Sequence, residues 1–600
     1  MLHQSKVLHM WLVFVTTFLR VTFAVVVERV TDLPGLEYDF IIVGGGTAGL
    51  VVANRLTENP AHSVLVLEAG GSNENVYNSK VPFYNGRLFN TAADWNFTTT
   101  PMPGLGGRSM GYPSGHILGG TSSMNGLAYT RGSSDDYNRY ARLTGDPGWS
   151  WDRVQPYFRK NEHWTEPADH HNTTGQFNPA VHGFHGVNAV SLPGFIYSFD
   201  HRVIQATSEL PQEFPFNLDM NSGNQIGIGW TQSTIKAGER SSSATSYLAP
   251  KYARRRNLHI LLHARVSRVL RTGSSNGLPI FKSVEFGNDR SLDAPRKRVT
   301  ARKEVILSSG AIGTPHILQN SGIGDIQHLR SVGITPLVHL PSVGQNLTDH
   351  PFVANTWRVN STDTFETAIR NATIAEEQER LWNEMRMGPY AASTFNVAGW
   401  LRVPENESAS VFKEFMDPAA GPGSAHFEFI IANGATRLPV PETGNFMVIG
   451  TVVVTPLSRG TVLATSSDPF RPPNINPNLL SSPLDLAIMR SAIRAARRFT
   501  QAPVWSSYIL GLEDKAVTDA ELDTFIRGAA ITVSHEVGTA AMSPRGADWG
   551  VVDPDLRVKK VKGLRVVDAS VLPLVPAAHT QAATYVVAER ASDLIKATWT

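Results

Sequence analysis

The stretch YDFIIVGGGTAGLVVANRLTENPAHSVLVLEAG, residues 38–70, constrains the fold of this chain more than any other. A short apolar strand runs into a glycine-rich turn and a helix-like segment, and a second apolar strand then ends at Glu68. Glycines at this spacing permit a tight turn, let backbone approach a pyrophosphate and let the helix pack on the strand. An acid after the second strand accepts hydrogen bonds from ribose hydroxyls and disfavours a 2′-phosphate, so the pattern predicts FAD or NAD rather than NADP. The residues assigned to the dinucleotide are Gly44, Gly46, Thr47, Ala48, Gly49 and Glu68.

Similar pieces recur much later in the chain. Residues 304–324, EVILSSGAIGTPHILQNSGIG, predict a buried strand, a glycine turn and a helix that opens near Thr314 and Pro315. Residues 563–573, GLRVVDASVLP, predict another strand, which leads to Asp568. The recurrence predicts a doubly wound α/β domain that is interrupted by insertions.

The region between these pieces has a different pattern. Residues 425–434 and 446–465 are typical of antiparallel strands, with a turn at 458–460, and a helix begins at Pro483. The polar stretches 360–385 and 404–424 predict surface excursions. We therefore expect a second lobe of mixed α+β structure that covers the cofactor.

Five motifs resemble those of the glucose-methanol-choline (GMC) oxidoreductases, which oxidise alcohols with FAD. They are GHILGGTSSMNG (115–126), GAIGTPHILQNSGIG (310–324), VGQNLTDHP (343–351), HEVGTAAMSP (535–544) and HTQAATY (579–585). Within the family, YTRGSSDDYNRYARLTGDPGWSW (129–151) and ADWGVVDPDLRV (547–558) resemble the fungal aryl-alcohol oxidase and pyranose dehydrogenase branch.

The resemblance implies an α/β fold with two domains. A Rossmann-like FAD-binding domain would be built from the discontinuous segments 36–150, 225–340 and 546–598. A substrate-binding α+β domain with an antiparallel sheet would comprise residues 151–224 and 341–545.

The resemblance also implies which further residues meet the cofactor. The loop that contains Asn125 would face the flavin, Val266 would meet the adenine through its backbone, and Asp568 would lie near the ribityl-pyrophosphate. The added cofactor-binding residues are Gly120, Asn125, Gly126, Val266, Asp568 and Ala569.

Several positions depart from the pattern of the family and of these two branches, among them Glu536 and Ala583, each of which replaces a common proline. Met124 stands where pyranose dehydrogenases carry the histidine that bonds covalently to the flavin, so we expect non-covalent FAD. Gly126 and Ser534 stand where aryl-alcohol oxidases carry aromatic residues near the substrate, which favours broader or sugar-like substrates.

The family pattern makes His535 and His579 the catalytic pair. Oxidising an alcohol to a carbonyl removes a hydroxyl proton and a hydride, and a neutral imidazole with an ordinary pKa of about 6.5 suits the proton. His579 precedes a segment with helical spacing, so its ring would lie near the positive end of a helix dipole. We expect His535 to be the base and His579 to donate to the alkoxide; the exchange of these roles stays open.

The resemblance leaves other questions open. The substrate could be a sugar or an aryl or small alcohol, and dioxygen or a quinone could reoxidise the flavin. A hydroxynitrile lyase on the same FAD scaffold is the alternative activity.

The composition argues against several other kinds of partner and site. The net charge of only +2 gives no support for a nucleic-acid partner. The absence of cysteine excludes disulfides, thiolate nucleophiles and thiolate metal sites. The histidines of DHHNTT (169–174) and HGFHG (182–186) have no partners at helical spacing, so we expect no metal.

The amino terminus suggests export. Lys6 precedes an apolar run at 10–19, and the small residues Thr22 and Ala24 suit a signal peptide, residues 1–24, that is cleaved after Ala24. The run is shorter than the roughly 20 residues that span a bilayer, which argues against an uncleaved anchor. We expect a secreted, extracellular monomer, not held in the membrane after processing. The sequons of the expected glycoprotein are at Asn96, Asn172, Asn346, Asn360, Asn371 and Asn406.

Overall fold

The computed structural model describes residues 25–435 and 440–599, and the predicted signal peptide lies outside them. Two large sheets organise these residues, one of eight strands and one of six. The mixed α/β class predicted from the sequence is confirmed. Among the described residues, no helix combines the length and the apolar character needed to cross a membrane.

The eight-stranded sheet has a parallel centre. Its strand Glu37–Val43 lies between Val64–Leu67 and Lys297–Leu307, and all three run in one direction. The apolar runs that form these strands are buried on both faces, as is usual in parallel sheets covered by helices. The strands, in spatial order, are Val25–Val27, Leu258–Leu261, Val64–Leu67, Glu37–Val43, Lys297–Leu307, Leu278–Asn288 and Ala264–Ser275, with Leu564–Val566 also pairing to Lys297–Leu307.

The carboxyl ends of the parallel strands bring distant parts of the sequence together. The glycine turn follows Val43, Glu68 follows Leu67, and a loop at 308–310 follows Leu307. Asp568 lies just beyond Leu564–Val566. Ligands of open α/β sheets bind at this edge, so the topology positions these groups for a shared ligand.

The six-stranded sheet is antiparallel. Its strands are Val397–Leu401, Phe427–Ala432, Asn445–Val453, Pro351–Val359 and Ile509–Leu512, with Ile531–Thr532 beside Pro351–Val359. The strand Thr461–Leu463 pairs with Asn474–Asn476, so the predicted turn at 458–460 does not return the chain to Asn445–Val453. The Asp485 carboxylate accepts hydrogen bonds from the backbone amides of Leu457 and Ser458 at 2.7 and 2.9 Å, which directs the chain away from the sheet.

Helices cover both sheets. The longer ones are Thr47–Leu56, Ser134–Thr144, Trp151–Asn161, Ser198–Glu209, Gly310–Asn320, Ala372–Met385, Pro483–Phe499, Asp519–Ala529 and Thr580–Trp599. The stretches predicted as surface excursions contain Phe365–Arg370, Ala372–Met385 and Glu405–Val411.

The helix Gly310–Asn320 starts one turn earlier than the sequence predicts. Its first amide, that of Gly310, donates to the Asp568 carboxylate at 3.0 Å, and the Thr314 hydroxyl donates to the same oxygen at 2.6 Å. A partner from 258 residues away thus stabilises this first turn.

A buried ion pair joins two helices that flank the parallel sheet. The Arg55 guanidinium, on Thr47–Leu56, lies 2.7 Å from the Glu589 carboxylate, on Thr580–Trp599. The Tyr247 hydroxyl donates to the same carboxylate at 2.7 Å. This contact fixes the helix whose first residue, Thr580, follows His579.

Candidate active site

One cavity of about 640 Å³ extends from the glycine turn to the two predicted catalytic histidines. It is lined by the loops at the carboxyl ends of the parallel strands and by residues from the edge of the antiparallel sheet. Every cofactor or catalytic residue predicted from the sequence lines it, except Gly49. The topology therefore brings the two groups of predicted residues into one space.

The three glycines of the turn have different surroundings. A Cβ at Gly44 would lie 2.4 Å from the Ser308 carbonyl oxygen, and one at Gly49 would lie 1.9 Å from the Gly44 carbonyl oxygen. Both positions require glycine for the packing of the protein itself. A Cβ at Gly46 would meet nothing closer than the Gly120 Cα at 3.7 Å, so it would project into the cavity.

Thr47 and Ala48 open the helix that follows Gly46, and their amides are among those that a helix leaves without intrahelical partners. Unpartnered amides and the positive end of a helix dipole suit a pyrophosphate. The open space beside Gly46 and this helix end therefore fit the phosphates of FAD.

Glu68 is held rigidly at the cavity wall. Its two carboxylate oxygens accept hydrogen bonds from the amides of Gly45 and Gly70, each at 2.7 Å. Each oxygen keeps a further lone pair, which a ribose hydroxyl could use. Burial raises the pKa of Glu68, and the two amide donors oppose this shift.

The Asp568 carboxylate accepts hydrogen bonds from the protein itself. One oxygen accepts from Gly310 and Thr314, and the other accepts from the amide of Ser570 at 2.9 Å. Burial raises the pKa of Asp568, while these hydrogen bonds lower it. Asp568 lines the cavity beside Ala569 and fixes the loop there.

The remaining predicted cofactor residues lie along the cavity wall. The Asn125 amide donates to the Gln581 side chain at 2.7 Å and accepts from Arg240 at 2.8 Å, which orients its loop. Gly120 packs so closely on Gly46 that a Cβ there would lie 2.8 Å from the Gly46 Cα. Gly126 and Val266 also line the cavity.

His535 and His579 meet at the other end of the cavity. Their ring centroids are 4.6 Å apart, and the ring planes are inclined by 71°. His535 follows the short strand Ile531–Thr532, and His579 immediately precedes the helix Thr580–Trp599.

His579 is oriented by a buried carboxylate. Its Nε2 lies 2.7 Å from the Glu428 Oε1, and the Glu428 side chain is fully buried on the strand Phe427–Ala432. The backbone amide of His579 donates to the Thr130 hydroxyl at 2.9 Å. His579 Nδ1 has no hydrogen-bond partner in the described parts of the chain.

His535 is oriented by a second buried imidazole. Its Nδ1 lies 3.0 Å from the Nδ1 of His350, and its backbone amide donates to the Asp349 carboxylate at 2.8 Å. Burial, with smaller contributions from His579 and His350, holds the pKa of His535 well below its usual value. His535 is therefore neutral, as a base must be before it accepts a proton.

Two positions that depart from the family pattern line the cavity. A Cβ at Gly126 would meet only the Asn85 side-chain nitrogen at 3.6 Å, so the space there is open. Glu536, which stands where the family commonly has proline, lines the cavity next to His535. Burial, together with the Asp349 carboxylate, raises the pKa of Glu536 well above its usual value.

Sequence reasoning missed His350, Asp349 and Glu428. His350 and Asp349 lie in the quoted motif VGQNLTDHP, where two polar residues just before a strand were a usable signal. Glu428 is an acid within the apolar strand pattern AHFEFIIANG, where a buried charge signals a specific partner. Among the described residues, no group of three or more histidine, aspartate or glutamate side chains is arranged to hold a metal ion.

Comparisons with known proteins agree with the resemblance. The family model for GMC oxidoreductases matches this chain at residues 38–352 and 456–588. Dehydrogenase eriK of Hericium erinaceus is 43% identical over 592 residues, covering 96% of each chain. Pyranose dehydrogenase 3 of Leucoagaricus meleagris is 41% identical over 590 residues, covering 95% of each chain.

Solved structures of similar proteins have the same fold. A formate oxidase variant of Aspergillus oryzae RIB40, in a study of FAD modification, superposes with a TM-score of 0.86 at 29% identity, covering 94% of this chain and 99% of that chain. A fungal aryl-alcohol oxidase superposes with a TM-score of 0.79 at 28% identity, covering 94% of this chain and all of that chain. The chain thus belongs to the GMC oxidoreductase family and is an FAD-dependent oxidoreductase.

Proposed function

We propose that this protein oxidises an alcohol CH–OH group to a carbonyl, with FAD as the hydride acceptor and a histidine as the proton acceptor. The observation that carries the proposal is the convergence of His535 and His579, 4.6 Å apart, in the cavity that begins at the glycine turn. A proton acceptor and a cofactor cradle in one cavity are what the reaction requires.

The residues described above as fitting the phosphates and the ribose of FAD would hold the cofactor. Gly46 and the helix end at Thr47 and Ala48 would hold the pyrophosphate, and Glu68 would hold the ribose. FAD, when bound, supplies the acceptor that takes the hydride from the alcohol carbon.

His535 would take the hydroxyl proton on its Nε2. The O–H bond breaks, the proton joins Nε2, and the electron pair left on oxygen forms the carbonyl as the C–H bond gives up its hydride. A neutral His535 is ready for this step, and a base placed in this way contributes about 10²- to 10⁴-fold in rate.

His579 would hold the alkoxide oxygen through Nδ1. Its Nε2 proton faces Glu428, so a hydrogen bond from Nδ1 requires the imidazolium form with the Glu428 carboxylate as its counter-charge. The positive end of the helix Thr580–Trp599 also favours negative charge at this point. With one proton fewer, Nδ1 of His579 would be a base, and the two histidines would exchange roles.

The test is anaerobic stopped-flow reduction of the flavin with sugars and aryl alcohols. We expect the yellow FAD absorbance to bleach with the substrate, and His535→Ala to slow this step about 10²- to 10⁴-fold while FAD stays bound. Retention of most turnover by His535→Ala, with loss in His579→Ala, would assign the base to His579. Release of cyanide from a cyanohydrin with no absorbance change would instead identify a hydroxynitrile lyase.

We propose that the substrate is a sugar or an aryl or small alcohol. We propose that dioxygen or a quinone reoxidises the flavin. Relatives named pyranose dehydrogenase and a structural neighbour named aryl-alcohol oxidase support these two substrate classes. The open space at Gly126 supports the broader or sugar-like class. The same stopped-flow screen, with each acceptor mixed against the reduced enzyme, distinguishes them.

We further propose that FAD is bound non-covalently, because Met124 lines the cavity where the covalent histidine of pyranose dehydrogenases would stand. Acid precipitation should then leave the flavin in the supernatant. We also propose a monomer, which size-exclusion chromatography with light scattering would test.

The remaining proposals concern processing and domains. A secreted, extracellular glycoprotein cleaved after Ala24 is supported by the sequence pattern, and peptide mapping of the secreted chain would test it. The division into an FAD-binding and a substrate-binding domain is supported by the two large sheets, whose strands, apart from Val25–Val27, fall in the two sets of segments. Limited proteolysis would test that division.

A further inference from the structure

His350 is a buried histidine that the chemistry proposed above does not use. It lies just before the strand Pro351–Val359, and its side chain has no exposure to solvent. Its Nδ1 lies 3.0 Å from His535 Nδ1, and its Nε2 lies 3.1 Å from the Val454 carbonyl oxygen. Both ring nitrogens therefore have a partner.

The partner of Nε2 decides where the His350 proton lies. A carbonyl oxygen can only accept, so Nε2 of His350 must carry the hydrogen. Burial, together with His579, lowers the pKa of His350 to about 3, so the ring is neutral and its Nδ1 has a lone pair. Two lone pairs cannot share a 3.0 Å contact, so His535 must donate from its own Nδ1.

The hydrogen on Nδ1 of His535 determines the state of its other ring nitrogen. A neutral imidazole carries one hydrogen, and in His535 that hydrogen is on Nδ1. Nε2 therefore has the lone pair. In the described parts of the chain this atom has no hydrogen-bond partner, and it is not among the buried unpaired atoms, so it is open to the cavity that His535 lines.

We propose that His350 is a positioning residue, which holds His535 in the tautomer whose Nε2 can accept the substrate proton. The proposal rests on the function proposed above, in which His535 is the base. In this proposal, Nδ1 of His350 is a fixed acceptor for the hydrogen bond from His535. The Val454 carbonyl keeps the His350 hydrogen on Nε2 and so leaves Nδ1 free to accept.

Asp349 holds the backbone of this arrangement in place. One of its carboxylate oxygens accepts from the backbone amides of both His350 and His535, at 2.7 and 2.8 Å. The other oxygen accepts from the Tyr112 hydroxyl at 2.7 Å. Two segments 185 residues apart are thus fixed to one carboxylate, which keeps the two imidazoles at hydrogen-bond distance.

The arrangement positions His535 and does not conduct its proton away. When Nε2 of His535 gains a proton, the hydrogen bond from Nδ1 to His350 is unchanged. Passing a proton on to His350 would create a buried cation whose other nitrogen faces a carbonyl, and a carbonyl oxygen cannot pass it further. The proton must therefore leave His535 through the cavity.

The first experiment measures the tautomer directly, by ¹⁵N NMR of the FAD-loaded protein labelled at histidine. The His535 signals are assigned as those that disappear in His535→Asn. We expect a protonated Nδ1 and an unprotonated Nε2 in the parent protein. A protonated Nε2 in neutral His535 would overturn the proposal whatever the activity of any variant.

The second experiment compares two replacements of His350. In His350→Gln the amide oxygen can accept from His535 and the amide nitrogen can donate to Val454, so the tautomer and most of the flavin-reduction rate should be retained. His350→Leu removes the acceptor, and we expect flavin reduction to slow about 10²-fold, the lower end of what a general base contributes, with KM little changed.

The controls separate this role from a structural one. His259→Leu makes the same change at a buried histidine outside the cavity and should leave flavin reduction unchanged. Equal rates in His350→Leu and the parent, or equal losses in His350→Leu and His350→Gln with an unchanged His535 tautomer, would refute the positioning role. If none of the alcohols bleaches the flavin of the parent protein, the proposed function fails. The NMR result still decides the tautomer of His535 in that case.

Discussion

A methyl group at Gly46 would enter the proposed FAD cradle without disturbing the protein around it. The backbone at Gly46 is extended, with φ of −85°, which alanine adopts without strain. The added Cβ would have its closest neighbour at 3.7 Å. We therefore expect Gly46→Ala to leave the stability of the FAD-free protein unchanged or to raise it by about 0.4–1 kcal/mol, through the unfolded chain.

The effect on FAD should have the opposite sign. If the pyrophosphate lies against the backbone of Gly46, the methyl group forces it outward, and crowding of this kind costs about 1–3 kcal/mol. This corresponds to FAD affinity that is weaker by roughly 5- to 150-fold. The assay is titration of FAD-free protein with FAD, followed by quenching of flavin fluorescence, beside a thermal unfolding curve of the same sample.

Two matched variants make the result decisive. Gly528→Ala adds a methyl group to an exposed helical glycine with open space around it, and it should leave FAD affinity unchanged. Gly49→Ala places a Cβ 1.9 Å from the Gly44 carbonyl oxygen and should destabilise the protein itself. Unchanged FAD affinity in a folded Gly46→Ala protein would refute the reasoning, since no cofactor backbone could then lie at Gly46.

Three further predictions concern other buried groups. Glu428→Gln replaces the charge-assisted hydrogen bond to His579, worth about 1.5–3 kcal/mol, so flavin reduction should slow roughly 10- to 150-fold with FAD content unchanged; an unaltered rate in stopped flow would contradict this. Burial lowers the pKa of His259 in the folded protein. As the pH falls below about 6.5, the His259 ring therefore takes up a proton in the unfolded chain before it does so in the folded protein, and the free energy of unfolding decreases. The free energy of unfolding of His259→Leu, measured in urea, should therefore rise relative to that of the parent protein by up to about 1.4 kcal/mol for each unit by which the pH falls between 6.5 and 5. A difference that does not change with pH would exclude a buried neutral ring. Arg55→Leu removes the nearer of two cations beside the buried Glu589 carboxylate and leaves Lys160 at 3.3 Å, so it should destabilise the protein by up to about 3–5 kcal/mol. Recovery in Arg55→Leu/Glu589→Leu, measured by thermal unfolding, would identify the Glu589 charge as the cause, and no loss in the single variant would contradict it.

The parts of the proposed FAD cradle could be placed together from sequence because they are local. Gly44 to Gly49 form one turn, and Glu68 follows the next strand along the chain. The spacing alone therefore predicts both the shape of the turn and the acid beside it. Asp568 comes from a distant segment, but it also follows a parallel strand, and the strand pattern places it at the same edge.

The partners of the two histidines proposed as catalytic could not be predicted in this way. Glu428 reaches His579 only because the strand Phe427–Ala432 pairs in one particular register, and a slip of one residue would turn the side chain to the other face. His350 reaches His535 from 185 residues away through the shared Asp349 carboxylate. Contacts of this kind depend on sheet register and tertiary packing, which a single sequence does not reveal.

The strand Lys297–Leu307 separates Glu37–Val43 from Leu564–Val566 in the parallel sheet, and this order bears on how the chain is made. The ribosome must add about 520 residues after the first of these strands before the last one can dock, which takes roughly 25–100 s at ordinary rates of translation. During that time the nascent sheet has an unfilled edge where Leu564–Val566 will pair, and the loop of Asp568 is missing from the cradle. FAD loading is therefore expected only after translation ends, and a chain that stops short of residue 564 should be a substrate for chaperones rather than a flavoprotein.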